Sequence, residues 1–182
     1  MIELPEAHTL AAQWNAAVQG KQIVAVTAAA SPQKWAWYFG DPQAYPARLC
    51  GKTVGVARGV GGFVEIAVED ASLLIGDGTI LRWYRASEKR PAKHQLLLEF
   101  ANGNAVIGSV QMYGGLWCFP AGAFDNPYYQ VALAKPSPLS EEFAQRYVHG
   151  MMDDPAVQKL CAKSFLATEQ RVPGLGNGVL QD

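Results

Sequence analysis

An α+β fold is predicted by three observations: an amphipathic helical pattern at the amino end, a long middle built of short β-rich runs, and a carboxyl-terminal stretch that returns to helix signals. The expected arrangement is an amino-terminal helix packed on a two-layer antiparallel β-sandwich, with helices following. The chain has 182 residues, 49% of them hydrophobic, enough for one sizeable core or one full domain and part of another.

The first element is a helix over residues 5–19. Leu4, Ala7, Leu10, Ala11, Trp14, Ala17 and Val18 recur at helical spacing, Pro5 suits a first turn, and Gly20 supplies a stop. Glu3 and Glu6 flank Pro5. One reading is favourable placement of acids at a helix N-terminus; the other is that the α-amine is a reagent and the carboxylates serve it.

From 22 to 117 the pattern changes to "QIVAVTA", "KTVGVA", "GFVEIAVE", "SLLI", "TILRWY", "QLLLEF" and "NAVIGSVQMYGGLW". Turn signals separate these runs, notably "DGT" at 77–79 and "NGN" at 102–104, where Asn-Gly favours a hairpin. Short strands at this spacing suggest a sandwich or a barrel-like sheet pair. The Pro- and Ala-rich stretch 120–138 reads as a surface connection between a domain at 1–135 and a second at 136–182. Beyond it Ser140, followed by Glu141 and Glu142, caps one helix, and Asp154-Pro155 starts another. "CAKSFLATEQ" is a third helical run, ending near Arg171. Asn177 then opens a helix with only five residues after it, too few to stand alone, so the chain reads as a fragment of a longer protein.

Fifteen Lys and Arg against sixteen Asp and Glu give a formal charge of −1, so there is no global basic field of the kind many nucleic-acid binders carry. Cys50, Cys118 and Cys161 lie far apart and suggest neither a disulfide framework nor a metal site. With no apolar run of bilayer length and acids in place of a basic leader, a cytoplasmic protein is expected.

Two motifs at opposite ends carry a resemblance. "MIELPEAHTL" resembles the amino terminus of the formamidopyrimidine-DNA glycosylase and endonuclease VIII family, whose members begin Met-Pro-Glu-Leu-Pro-Glu. "KSFLATEQRVPGLGNGVLQD" resembles that family's helix–two-turns–helix, in which a Lys precedes an apolar run, a Gln and Gly-x-Gly-Asn. The order of helix, β-rich middle and helical region also agrees, while the intervening strands match loosely. The resemblance implies base-excision repair of damaged double-stranded DNA by a nucleoid-associated monomer, with glycosylase and AP-lyase activity. It implies that 136–182 is the first part of a helix–two-turns–helix domain. No cofactor is expected in this stretch; the family's four-cysteine zinc finger would lie beyond residue 182.

In such enzymes the amino-terminal amine attacks C1′ of the damaged nucleotide, expels the base through a Schiff base, and cleaves the strand by β-elimination. An α-amine suits this role because such groups ordinarily titrate near 7.7–8.0, against about 10.4 for a lysine. By resemblance Glu3 shuttles a proton to the opening sugar ring and Glu6 holds the terminus in place. Position 2 departs from the family, with Ile2 in place of Pro. Ile2 is too large for the usual removal of methionine, so Met1 is expected to stay and to move the amine one residue out, about 3.5 Å of chain. A misplacement of even about 1 Å can cost ~10²-fold in rate, which leaves open a relative that recognises lesions or abasic sites without cleaving them.

Other departures lie in the middle of the chain. In "ARGVGGFVEI", Arg58 and Gly59 match, but Val60 stands where the family has a phosphate-contacting Lys. In "VQMYGGLW", Gln111, Met112 and Tyr113 replace the loop that fills the gap left by a flipped base. Tyr113 reads either as a wedge into the stack or as an ordinary core or hairpin aromatic. Lys163 and Asn177 are assigned to a phosphate, Asn177 at a helix N-terminus and Lys163 adding charge. The run 81–94 gathers Arg82, Arg85, Lys89, Arg90 and Lys93 with Trp83 and Tyr84 and reads as a solvated loop ahead of a nucleic-acid patch. His8, His94 and His149 are scattered and read as structural. Trp35, Trp37 and Tyr38 read as core before they read as a base pocket.

Overall fold

Helix α1 spans Leu4–Val18 in the computed structural model, which describes residues 1–181. Its buried residues, Leu4, Ala7, Ala11, Trp14 and Val18, fall three or four apart, so one stripe meets the sheet. The alanines allow close approach: a Cβ on Gly59 would come within 2.9 Å of His8 Cδ2. Asn15 locks the contact, donating from Nδ2 to the Ala57 carbonyl at 2.8 Å and accepting the Ala57 N–H at 2.7 Å.

The strands are β1 (Ile23–Ala28), β2 (Ala36–Trp37), β3 (Val54–Val60), β4 (Phe63–Val68), β5 (Ala71–Tyr84), β6 (Leu96–Phe100) and β7 (Ala105–Pro120), with helix α2 (Tyr45–Leu49) between β2 and β3. They form one sheet of order β1-β6-β7-β5-β4-β3, antiparallel throughout, with β2 added parallel to β7. A bridge between Gln22 and Thr53 joins the starts of β1 and β3, so the two edges of the strip meet at one end. The two layers expected from the sequence are thus halves of one sheet that curls back on itself.

The "DGT" turn is corrected. Residues 77–79 do not separate two strands; they form a bulge inside β5, with Asp77 opposite Gly114 and Thr79 opposite Val110. Gly78 alone therefore faces Gln111, Met112 and Tyr113, which loop out and stand exposed. The Asn-Gly signal behaves as expected: β6 and β7 form a hairpin through 101–104, with Gly103 at φ +79°.

Strand β5 is buried on both faces. Leu73 and Ile75 join the main core under α1, while Leu74 joins a second cluster with Trp117, Phe119, Phe124 and Tyr129. The second cluster corrects the reading of 120–138 as a bare connection. Asn126 caps helix α3 (Pro127–Ala134), accepting the N–H groups of Tyr128 and Tyr129, and α3 buries Tyr129 and Ala132. Further on, Ser140 Oγ accepts the Phe143 N–H, and a π-helical turn, Phe143–Tyr147, runs into α4 (Val148–Met152). Asp154 accepts the Ala156 N–H; α5 (Ala162–Ala167) and α6 (Asn177–Gln181) follow.

Tyr45 joins α2 to the sheet. Its buried hydroxyl accepts the N–H groups of Phe39 (2.9 Å) and Cys118 (3.0 Å) and donates to the Leu116 carbonyl (2.8 Å). Tyr45→Phe leaves those backbone groups unpaired and is expected to cost about 2–4 kcal/mol, read as a lowered denaturation midpoint; an unchanged midpoint contradicts it. Burial pushes the phenol up to about 12 from an ordinary 10.0. Its stabilising contribution is therefore complete below the unfolded value and is lost as pH rises through the folded one.

Candidate active site

The amino terminus leads into a cavity of about 650 Å³ between the sheet and the carboxyl-terminal helices, walled by Met1, Ile2, Glu3, Asp77, Tyr113 and Trp117 among others. Met1 is 59% exposed, whereas Ile2 is buried. The Ile2 nitrogen donates to the Asp77 carbonyl at 2.6 Å and the Leu4 nitrogen to the Gly174 carbonyl at 2.8 Å, so both sides of Glu3 are pinned. The Ile2 nitrogen is committed to the sheet, and the α-amine of Met1 is the free nitrogen.

Glu3 is buried; it forms a capping box with Glu6 at the start of α1, and its carboxylate also reaches a second helix. Oε1 accepts the Gly178 N–H and Oε2 the Val179 N–H, each at 2.8 Å, so it caps α6 across 175 residues of sequence. Close packing fixes this clamp, for a Cβ on Gly176 would stand 2.4 Å from Glu3 Oε1. Glu6 completes the arrangement by accepting the Glu3 N–H on Oε2 at 2.7 Å.

Asn177 is the first residue of α6, as its sequence context suggests, and it is exposed. The next two amides, which the sequence reading offers to a phosphate, donate to Glu3 instead. Lys163 is exposed on α5, the helix next to α6, and neither Lys163 nor Asn177 is part of the cavity wall. Arg58 is also outside the wall; its Nε pairs with Glu65 at 2.7 Å and its side chain is 63% exposed. Val60 turns into the second cluster. Burial and the neighbouring Glu65 push the phenol of Tyr129 upward.

Tyr113 is an exposed residue on the looped-out stretch of β7, not a core aromatic, and its ring lies 5.8 Å from that of Trp37. The core reading of the tryptophans is corrected: Trp35 is 51% and Trp37 40% exposed, and with Met112 and Tyr113 they line an open groove beside the cavity. Their backbone is held by β2 pairing with β7 and by Gln33, whose Nε2 donates to the Val110 and Gln111 carbonyls. In the run 81–94, Trp83 stacks on Phe100, and Arg90 pairs with Glu99 and donates to the Gly103 carbonyl. Both are thereby turned inward; Leu81–Tyr84 belong to β5, and only 85–94 form a largely exposed connection to β6.

Sequence reasoning missed Asp77 as a site residue because it passed for turn chemistry. Its signal was an acidic residue between two glycines inside a β-rich run. Among the described residues, no three His, Cys, Asp or Glu stand close enough to hold a metal ion, and no helix is long and apolar enough to cross a membrane.

No protein-family profile and no curated protein matches the chain. Solved structures do. The formamidopyrimidine-DNA glycosylase (Fpg or MutM) of Lactococcus lactis, bound non-covalently to DNA containing an AP site, superposes over 96% of this chain and 65% of its own, with 22% identity and a TM-score of 0.75. The Lactococcus lactis Fpg in complex with abasic-site DNA covers 96% and 64% at 20% identity, with a TM-score of 0.74. MutM in complex with DNA carrying carbocyclic 8-oxo-G covers 65% and 44% at 19% identity, with a TM-score of 0.56. The chain has the fold of these glycosylases and spans 65% or less of the length of each.

Proposed function

We propose that the chain belongs to a base-excision DNA glycosylase with AP-lyase activity, which works on damaged double-stranded DNA through the Met1 α-amine and a Schiff base. The observation that carries this reading is the grouping of an exposed terminal amine with Glu3 and Asp77 in one cavity, beside exposed Trp37 and Tyr113. The amine is the nucleophile toward C1′, and Glu3 handles the proton of the opening sugar ring. Glu6 holds the first turn. Tyr113, next to Trp37, offers an aromatic face to the gap left by an extruded nucleotide. Arg58, Lys163 and Asn177 contact phosphates from outside the cavity.

A second reading is a protein of the same fold that binds lesions or abasic sites without cutting. What favours it is the Ile2 nitrogen, tied to Asp77, which leaves the amine one residue further out than in enzymes that start at position 2. Borohydride trapping on a duplex with one abasic site separates the two. The expected result is a covalent protein–DNA adduct that disappears when the α-amine is acetylated. Binding of the abasic duplex without an adduct selects the second reading, and absence of binding removes both.

A further inference from the structure

We propose that the side-chain carboxylate of Asp77 is the proton acceptor and donor for the Met1 α-amine, a role that rests on the Schiff-base reading above. Three carboxyl groups stand around the terminus, and two are already committed. Glu3 spends one oxygen on each of the Gly178 and Val179 amides, and Glu6 accepts the Glu3 N–H. Among the described residues the Asp77 carboxyl accepts no hydrogen bond and makes no direct ion pair with the amine; Met1 and Asp77 line the same two spaces, and the positive charge of the terminal amine acts on the carboxyl across them.

The backbone holds it there at a cost. Asp77 sits in the β5 bulge at φ +56°, a left-handed conformation uncommon outside glycine and most tolerable for Asp and Asn. Side chains are barred from both flanks: a Cβ on Gly76 would lie 2.7 Å from the Phe63 ring, and one on Gly78 would lie 2.6 Å from the Tyr113 carbonyl. The bond from the Ile2 nitrogen to the Asp77 carbonyl then ties the first peptide to the bulge at 2.6 Å. Met1 and Asp77 both line the cavity and the neighbouring groove toward Leu81.

The ionisable groups that line these two spaces are the amine, Glu3, Glu6, Asp77, Tyr113 and Tyr128. Half-burial raises Asp77 above the usual carboxylate range, and the amine opposes that rise. A substrate closing over the cavity removes more water and favours the neutral pair, amine with carboxylic acid, over the ion pair. The balance of the step is complete. The proton crosses by way of one water: an N–H bond of the α-ammonium breaks, the water passes a proton on, and an Asp77 O–H bond forms. The freed lone pair makes the N–C1′ bond while the electron pair of the glycosidic bond leaves with the base. The base then takes the proton back from Asp77.

Two measurements test this on the full chain. The first needs no DNA: the Asp77 carboxyl is titrated by carbon-13 NMR before and after acetylation of the α-amine. An upward move of the midpoint on acetylation is expected, and no move overturns the pairing of the two groups. The second is the pH profile of borohydride trapping for Asp77→Asn, with Asp77→Gly as a variant that tolerates the same backbone angle. Both are expected to trap roughly 10²-fold more slowly at neutral pH and to recover as pH rises and water deprotonates the amine. Equal rates and profiles for wild type and both variants overturn the role of Asp77 alone. Absence of trapping by the wild type overturns the Schiff-base reading and this proposal with it.

Discussion

Glu3→Gln is expected to cut base excision by roughly 10²–10⁴-fold, the range for loss of a group that moves a proton in the rate-determining step. The structure adds a second consequence of the same change. Each oxygen of Glu3 accepts one N–H of α6 at 2.8 Å. Gln offers one accepting oxygen and turns an NH2 toward the other amide, so one charge-assisted bond worth about 1.5–3 kcal/mol is lost. Chemistry and clamping therefore have to be separated. Gly176→Ala does so by crowding Glu3 Oε1, 2.4 Å from the added Cβ, while keeping the carboxylate. Hydrogen exchange at the Gly178 and Val179 amides is expected to quicken in both variants, and excision to collapse only in Glu3→Gln. If Gly176→Ala loses excision to the same extent, Glu3 acts by positioning α6 and leaves the mechanism.

Gly174→Ala is expected to destabilise the junction between sheet and helices by roughly 2–4 kcal/mol, the sum of left-handed strain and overpacking against an unyielding neighbour. Gly174 has φ +80°, and a Cβ there would lie 2.5 Å from the Gly61 carbonyl carbon and 2.7 Å from its oxygen. Gly61 is itself left-handed at φ +56°, and the atoms that the added Cβ meets are backbone, not the far end of a flexible side chain. The Leu4 N–H bond to the Gly174 carbonyl breaks with the displacement. The readouts are the denaturation midpoint and exchange protection at Leu4, Gly178 and Val179. An unchanged midpoint with protection intact refutes the account.

Much of the fold was legible. The spacing from Leu4 to Val18 predicts α1 to within one residue at each end, because a helix that buries one face must repeat its apolar residues every three or four positions. Asn-Gly at 102–103 marks a hairpin for an equally local reason. Asp77-Gly78 looked like the same signal and was not. A bulge and a turn both recruit residues that accept positive φ, and only pairing with β7 tells them apart. The tryptophans misled because composition reports apolarity, whereas exposure depends on which strand the segment joins. Two residues of β2 pair with β7 and leave Trp35 and Trp37 facing outward.

The sequence by itself determined α1, the apolar runs that became β1, β3, β4, β6 and β7, the starts at Ser140, Asp154 and Asn177, and an amino terminus crowded with acids, since each of these is decided among residues a few positions apart; β2, α2, α3 and the continuity of β5 were not legible. What each acid does was decided by the tertiary structure. Glu3 reads as the cap of the helix it precedes, yet its carboxylate accepts from amides 175 and 176 residues away. Asp77 reads as a turn residue, yet it lines the same two spaces as Met1. A carboxylate near a helix start can satisfy any set of free N–H groups within reach, and local preference does not choose among them. The choice is made when the curled sheet brings Gly61 against Gly174, close enough to hold α6 over the first turn of α1.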